Sequence, residues 1–539
     1  MKHYLDEKRR LFLKATSAVA GATVVPAGLA SLAAPAVVLA QGARPTAAQG
    51  IAFGDSTQGR TLVWSRSDRP ARMFLDYAFD ESFRGAQRIV GPHALETTDF
   101  TVRQDLVGLP SGRDVWVRVT FEDLINSRAR SEPVIGHFRT PSKRRRDVKF
   151  QWGGDTAGQG WGINPDIGGM RIYESMRRSE PDFFIHSGDN IYADGPIAET
   201  VTAEGGRTWR NIVTPEVSKV AETLAEYRGR YKYNLLDENV RRFNAEVPQI
   251  WQWDDHEVTN NWSASKDLSA DARYTVKDVP LLIARGGRAF MEYAPMRTNG
   301  VEESERVYRK IAYGPLLDVF VLDMRTYRGP NTFNLQTAPS GETDFLGAVQ
   351  LAWLKRELKG SRALWKVIAA DMPVGLVIGD GRDGEGRARF EGSSNGDGPV
   401  LGREFEVADL LRYIKREHVN NIVWVTADVH YCAAHLYDPA KAQFKDFDPF
   451  WEFVSGPLNA GSFGPNQLDN TFGPQVVFQK FPGSPNQSPF AGLQFFGEIV
   501  IDADRGSLNV ALKDIDGKDV FTRSLEPAGG NHRIEFEDD

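Results

Sequence analysis

The sequence predicts an α/β protein, with a layered sheet core and helices outside it, preceded by a β-sandwich. Three observations carry this. From Val148 onward, strand-length apolar runs alternate with segments of three-four apolar spacing, the pattern of helices covering a sheet. Between Ile51 and Thr140 apolar residues alternate singly, as in half-buried strands. Four acidic segments each begin where a strand run stops, which is where open α/β sheets bind ligands. The chain has 539 residues, more than one core ordinarily serves.

Taken in order, the first element is not part of the fold. Lys8-Arg9-Arg10-Leu11-Phe12-Leu13-Lys14 is a twin-arginine pattern, and a mildly apolar, Ala-rich stretch follows to Ala40. Val38-Leu39-Ala40 before Gln41 fits a signal-peptidase site. Pro26 and Pro35 argue against a permanent membrane span. Residues 1–40 are therefore expected to be a cleaved signal read by the twin-arginine translocation machinery, giving a periplasmic or secreted protein.

Residues 45–142 form the expected sandwich, similar to fibronectin-III or immunoglobulin-like domains, with strands at Thr61–Ser65, Ala71–Tyr77, Val115–Val119 and a closing strand near His137. The basic stretch from Ser142 to Asp147 reads as a linker. Residues 148–525 form the second domain. Its expected strands are Val148–Trp152, Phe183–His186, Val247–Trp253, Leu316–Leu322, Trp365–Ala370 and Ile422–Thr426. The expected helices are Met170–Arg178, Leu224–Asn244, Leu346–Leu358 and Phe405–Glu417. Gly379 to Gly398 reads as a surface loop, and Phe495 to Ser524 as closing β-strands.

The net charge of −7 argues against nucleic acid as a specific partner, because phosphate backbones want a basic face. Cys432 is the only cysteine, so no internal disulfide can form, and its apolar setting reads as a buried structural thiol.

The chemistry lies in four segments. Phe150 to Asp155 ends in Gly-Gly-Asp; His186 to Tyr192 reads His-Ser-Gly-Asp-Asn-Ile-Tyr; Trp253 to Glu257 reads Trp-Asp-Asp-His-Glu; Thr426 to Tyr431 reads Thr-Ala-Asp-Val-His-Tyr. Acids converging beyond one sheet repel one another unless cations lie between them. A carboxylate such as Asp189 can bridge two cations, and Tyr192 can reach one as phenolate if the ion is a strong Lewis acid such as ferric iron. His256 among acids suits a proton donor. Asp428 and His430 place an oxygen and a nitrogen ligand on one side of an extended segment.

Together these motifs resemble the PhoD-type alkaline phosphatases of the calcineurin-like metallophosphoesterase superfamily and, more distantly, the purple acid phosphatases. Leu322-Asp323-Met324-Arg325-Thr326-Tyr327-Arg328 and Phe453 to Pro457 are similar to further family segments. The resemblance implies a metallophosphoesterase-type sheet core and a catalytic domain over residues 148–525. It also implies metal ligation by Asp155, Asp189, Tyr192, Asp255, Asp371, Asp428 and His430. Fe3+ is implied beside Tyr192 and His430, and Ca2+ where the shell is all oxygen. His256 and Arg325 are then catalytic, and Arg325, Arg328 and Asn190 bind substrate. One departure stands out: the family commonly has a Cys ligand after its first strand, where this chain has Asp155.

The resulting expectation is an exported, metal-dependent alkaline phosphatase. It would hydrolyse phosphomonoesters, phosphodiesters or both through a metal-bound hydroxide or oxide, acting on small phosphate esters or on phosphodiester polymers and lipids. The rivals are a phospholipase D-like phosphodiesterase acting on lipid headgroups, and a non-catalytic secreted binding protein in which metal only stabilises the fold.

Overall fold

The computed structural model describes residues 44–298 and 303–528. The expected export signal, residues 1–40, lies outside them. Among the described residues no helix is long and apolar enough to cross a membrane.

Two large mixed sheets face each other. One runs in the order Asp519–Leu525, Leu508–Asp514, Phe495–Ile501, Val148–Gly153, Phe183–Ser187, Gln249–Gln252, Ile51–Thr57, Arg60–Arg66, Thr101–Val107. The other runs Arg309–Ala312, Leu317–Val321, Trp365–Ala369, Ile422–Thr426, Phe450–Val454, Cys432–Tyr437, Pro474–Lys480. Their inner faces share one core, in which Phe150, Ile185 and Ile250 of the first pack with Val319, Val367, Val425 and Phe453 of the second. These strands are short and almost wholly apolar because both of their faces are covered.

Helices close the outer faces. Ala348–Gly360 and Glu404–Arg416 lay Leu354 and Leu411 on Ile368 and Trp424 of the second sheet. Arg171–Arg178 and Glu238–Glu246 lay Met176 and Phe243 on Phe184 and Phe496 of the first. The central strands are parallel within each sheet, with Phe150 beside Phe183, Ile185 beside Ile250, Val319 beside Val367 and Val423 beside Trp451. Parallel strands align their carboxyl ends, so the four acidic segments leave the sheets together.

Several elements differ from the sequence expectation. The stretch Leu224–Asn244 is two helices, Leu224–Asn234 and Glu238–Glu246, because the Asp237 side chain accepts from the amides of Asn239 and Val240 and caps a new start. A helix at Val279–Tyr293 was not expected. Gly286 and Gly287 interrupt its pattern, and Gly286 is required there because a methyl group would lie 2.7 Å from the Glu257 carbonyl oxygen. The Gly379 to Gly398 segment holds a hairpin, Gly379–Arg382 with Ala388–Phe390, and then runs inward.

The N-terminal strands form two sheets around a shared core. Gln87–Ala94, Ala71–Ala78, Asp114–Asp123 and Val134–Arg139 make a four-stranded sheet. Met73, Leu75, Val117 and Val119 of that sheet pack on Phe53, Val63 and Leu106. The other three N-terminal strands are not separate from the second domain. Ile51–Thr57 pairs in parallel with Gln249–Gln252 through Gly54 and Gln249, extending the large sheet. Gly54 is needed at this join, since a methyl group would fall 1.8 Å from the Pro295 carbonyl oxygen. Beside it, Arg309 donates to both carboxylate oxygens of Asp55 and to the Trp251 carbonyl, making a buried clamp.

Candidate metal centre

The site is built by loops that leave the strand ends abruptly. Asp155, Asp189, Asp428 and His430 all lie in the left-handed backbone region, with φ of 68°, 51°, 66° and 60°. Such conformations cost on the order of 1 kcal/mol each for non-glycine residues, and they cluster at functional sites. Gly188, with φ of 97°, lets the Asp189 loop press on its neighbour: a methyl group there would sit 2.5 Å from the Asp254 Cβ.

These turns aim side chains at one point. Ligand atoms of Asp155, Asp189 and His430 lie within 4.8 Å of one another, and so do those of Asp189, Asp255 and His256. Asp189 belongs to both groups. The Tyr192 hydroxyl joins the first at 2.8 Å from His430 Nε2. The Tyr192 ring also packs on His256, with ring centres 4.2 Å apart. A methyl group at Gly158 would collide with that ring at 2.5 Å, so glycine there leaves the phenol its place.

Both histidines are oriented by their other nitrogen. His430 Nδ1 donates to the Gly461 carbonyl at 2.5 Å, which leaves the Nε2 lone pair facing Asp155 and Tyr192. Burial lowers the pKa of His430 to about 4, so it is the neutral form that faces the cluster. His256 Nδ1 meets Asp194 Oδ1 at 2.6 Å, and Asp194 Oδ2 accepts from the Asn260 amide. That leaves His256 Nε2 on the side of Asp255, 3.8 Å from its Oδ1. Burial opposes charge on His256, but Asp194 and Asp255 overcome it and raise its pKa to about 10.

The carboxylates cannot all be ionised in this arrangement without cations. Burial, then mutual repulsion, holds Asp155 and Asp189 well above the ordinary carboxylate range. The same causes raise the Tyr192 phenol. Neither oxygen of Asp155 meets a hydrogen-bond donor among the described residues, although Asp155 is buried. Orphaned buried acids carry a penalty of several kcal/mol that a cation removes. The donor set of carboxylates, one phenol and imidazole nitrogens held by second hydrogen bonds therefore fits a cation pair sharing Asp189.

Other expected site residues lie outside these two ligand groups. Arg325 is wholly buried. Its Nε donates to Asp254 Oδ1 at 2.6 Å, Nη1 to Glu391, and Asp371 Oδ2 is 3.8 Å away. Arg328 is equally buried and donates to the Glu391 carbonyl. Arg325 is thus held by carboxylates, whereas Arg328 Nε and Nη1 are buried and meet no hydrogen-bond acceptor among the described residues. Asp371 faces Arg325 and accepts from the Met372 amide, and neither it nor Asp428 belongs to the two ligand groups. The Asn190 amide nitrogen donates to the Gln252 carbonyl and to Glu257, so it braces the loop.

Three residues with clear roles were not singled out from sequence. Asp194 orients His256, Asp254 anchors Arg325, and Glu391 holds both arginines. Asp194 lies just beyond Tyr192 and Asp254 lies inside the Trp-Asp-Asp-His-Glu run, so position in the motifs was the available signal. Glu391 had none, because it lies within the Gly379 to Gly398 stretch that reads as surface, yet it is 2% exposed.

Facing mixed sheets, helices on both outer sides and a carboxylate–histidine cluster at the strand ends define a metallophosphoesterase-type architecture. The solved structure described as "Structure of PhoD" superposes with a TM-score of 0.65 at 20% identity, covering 89% of this chain and 92% of that one. A purple acid phosphatase from yellow lupin seeds superposes with a TM-score of 0.53 at 12% identity, covering 90% of this chain and 74% of that one. The family model of PhoD-like phosphatases matches residues 150–512, and that of the PhoD-like phosphatase N-terminal domain matches residues 32–142. The chain belongs to the PhoD-like phosphatase family. It is 29% identical over 309 residues to alkaline phosphatase D of Bacillus subtilis (strain 168), a match covering 56% of this chain and 50% of that protein.

Proposed function

We propose that this protein is an exported, metal-dependent phosphatase that hydrolyses phosphomonoesters, phosphodiesters or both. The carrying observation is the double membership of Asp189, whose carboxylate is shared by two ligand groups. Family membership and the likeness to alkaline phosphatase D support the activity. Asp155, Asp189, Tyr192 and His430 would hold one cation, and their hard oxygens with one imidazole favour Fe3+. Asp189 and Asp255, with Asp428 among the buried acids beside Asp255, would hold a second, for which carboxylate donors favour Ca2+. Bound cations would neutralise charge on the transferring phosphoryl group and activate the attacking water.

The chain's own contribution is orientation and proton handling. Asp194 fixes His256 with Nδ1 bonded and Nε2 towards the cluster, where Nε2 can deliver a proton to the departing alkoxide. Arg325 ties Asp254 and Glu391 together below the ligands, which holds the Trp253 to Glu257 loop in place. The twin-arginine segment supports export to the periplasm or beyond, and the N-terminal sheets fit a fibronectin-III or immunoglobulin-like domain.

Asp189→Ala tests this reading. Elemental analysis of the wild type is expected to find iron and calcium. The variant is expected to lose both, together with turnover of p-nitrophenyl phosphate and its bis ester. A variant that keeps full turnover refutes the proposal.

A further inference from the structure

The four-stranded N-terminal sheet has a second face, opposite its core. Cross-strand neighbours there alternate between guanidiniums and rings. Asp76 lies between Arg88 and Arg118, Phe74 between Val90 and Thr120, and Trp116 opposite His137. Arg130 and Arg88 lie over the Phe74 ring at 5.2 and 5.9 Å, and Arg118 lies over Phe83 at 4.6 Å. Trp116 and His137 stack with centres 4.5 Å apart at 22°. The face is open to solvent: the Arg88 side chain is 52% exposed and that of Arg130 is 50%.

Cations outnumber acids on this face. Arg72, Arg88, Arg113, Arg118, Arg130 and Arg139 stand with Asp76, Asp114 and Glu122, and the Phe83 loop adds Arg84 with Asp80 and Glu81. Asp76 pairs with Arg88 and Arg118, Glu122 with Arg130 and Asp114 with Arg139, pairs with solvent-facing arginines that a phosphate can displace at little cost. The chain's net charge of −7 conceals this local excess. Residues 44–142 contain no lysine, so every long cation of the region is a planar fork that both pairs with phosphate and stacks on rings. A merely anionic partner would be served by charge alone. Rings interleaved with guanidiniums suit a partner carrying phosphates and flat heterocycles in alternation.

We propose that this face binds single-stranded nucleic acid, with backbone phosphates on the arginines and bases against Phe74 and the Trp116–His137 pair. This departs from the expectation drawn from net charge, and it stands independently of the metal centre.

The test uses the whole protein and a fluorescent, phosphorothioate-linked oligothymidine of about 20 nucleotides, read by anisotropy at about 50 mM salt. The wild type is expected to bind. Arg88→Glu with Arg130→Glu is expected to bind at least about tenfold more weakly, with a salt dependence shallower by about two phosphate contacts. Turnover of p-nitrophenyl phosphate should be unchanged in that variant, which also reports its folding. Trp116→Ala is expected to weaken binding about 5- to 100-fold, the range for losing one stacked base. Absence of binding by the wild type, or equal binding by the charge-reversed variant, overturns the proposal. So does a sulfated polysaccharide of matched charge binding as tightly as the oligonucleotide with Trp116→Ala affecting neither, an outcome that assigns the face to polyanions in general.

Discussion

His256 illustrates how single residues set the chemistry of this site. Its ring is fixed on one side by Asp194 at 2.6 Å and packed on the other by Tyr192. Asp194→Ala removes the acceptor of Nδ1–H and also strands the Asn260 amide. We expect turnover to fall about 10- to 100-fold, the usual effect of losing such a supporting hydrogen bond. Asp194→Asn keeps an acceptor oxygen and should recover part of the loss, as measured by kcat on p-nitrophenyl phosphate. Most residues of the cluster were legible in the sequence because each follows an apolar run directly. Asp155, Asp189, Asp255 and His430 needed only the rule that strand ends converge. The partners of Arg325 and Arg328 were not legible, for a physical reason. A guanidinium suits a phosphate and a carboxylate equally, and only coordinates reveal that Asp254 and Glu391 occupy Arg325 while Arg328 meets the Glu391 carbonyl alone.

At the scale of elements, legibility followed burial. The strands Trp365–Ala369 and Ile422–Thr426 are covered on both faces, so their sequences are continuous apolar runs. Helices were harder where local features interrupt the period, as Asp237 does by capping a second helix and Gly286 by allowing close approach. The helix Glu404–Arg416 carries a further consequence. Its first residue, Glu404, is buried. Burial, then the nearby Asp469, raises the Glu404 pKa from 4.5 to about 9. The folded state thus holds a proton that the unfolded chain releases above about pH 4.5, so stability falls as pH rises from there through about 9. Glu404→Gln retains the shape without the titration. Its melting temperature should exceed that of the wild type at pH 8, by an amount corresponding to on the order of 1–4 kcal/mol, and the two should converge near pH 4. Parallel pH profiles of the two proteins would contradict this.

At the scale of the molecule, three of the N-terminal strands continue the large sheet whose strand ends carry Asp155, Asp189 and Asp255. The sequence suggested a sandwich followed by a linker, because alternation cannot show which edge a strand will join. Gly54 beside Gln249, and Arg309 clamped between Asp55 and Trp251, bind the two regions. Asp55→Ala leaves the Arg309 guanidinium buried and unpaired, and it should cost about 3–5 kcal/mol in urea unfolding. The loss should appear as a shift of one cooperative transition. A separate early transition confined to the N-terminal sheets would show them to be autonomous.

The same join has a bearing on biosynthesis. The strand Ile51–Thr57 leaves the ribosome long before its neighbour Gln249–Gln252 exists. Until then one of its edges offers unpaired amides and carbonyls to any passing chain. Order of translation and order of assembly therefore diverge, and that edge stays without its partner through the interval.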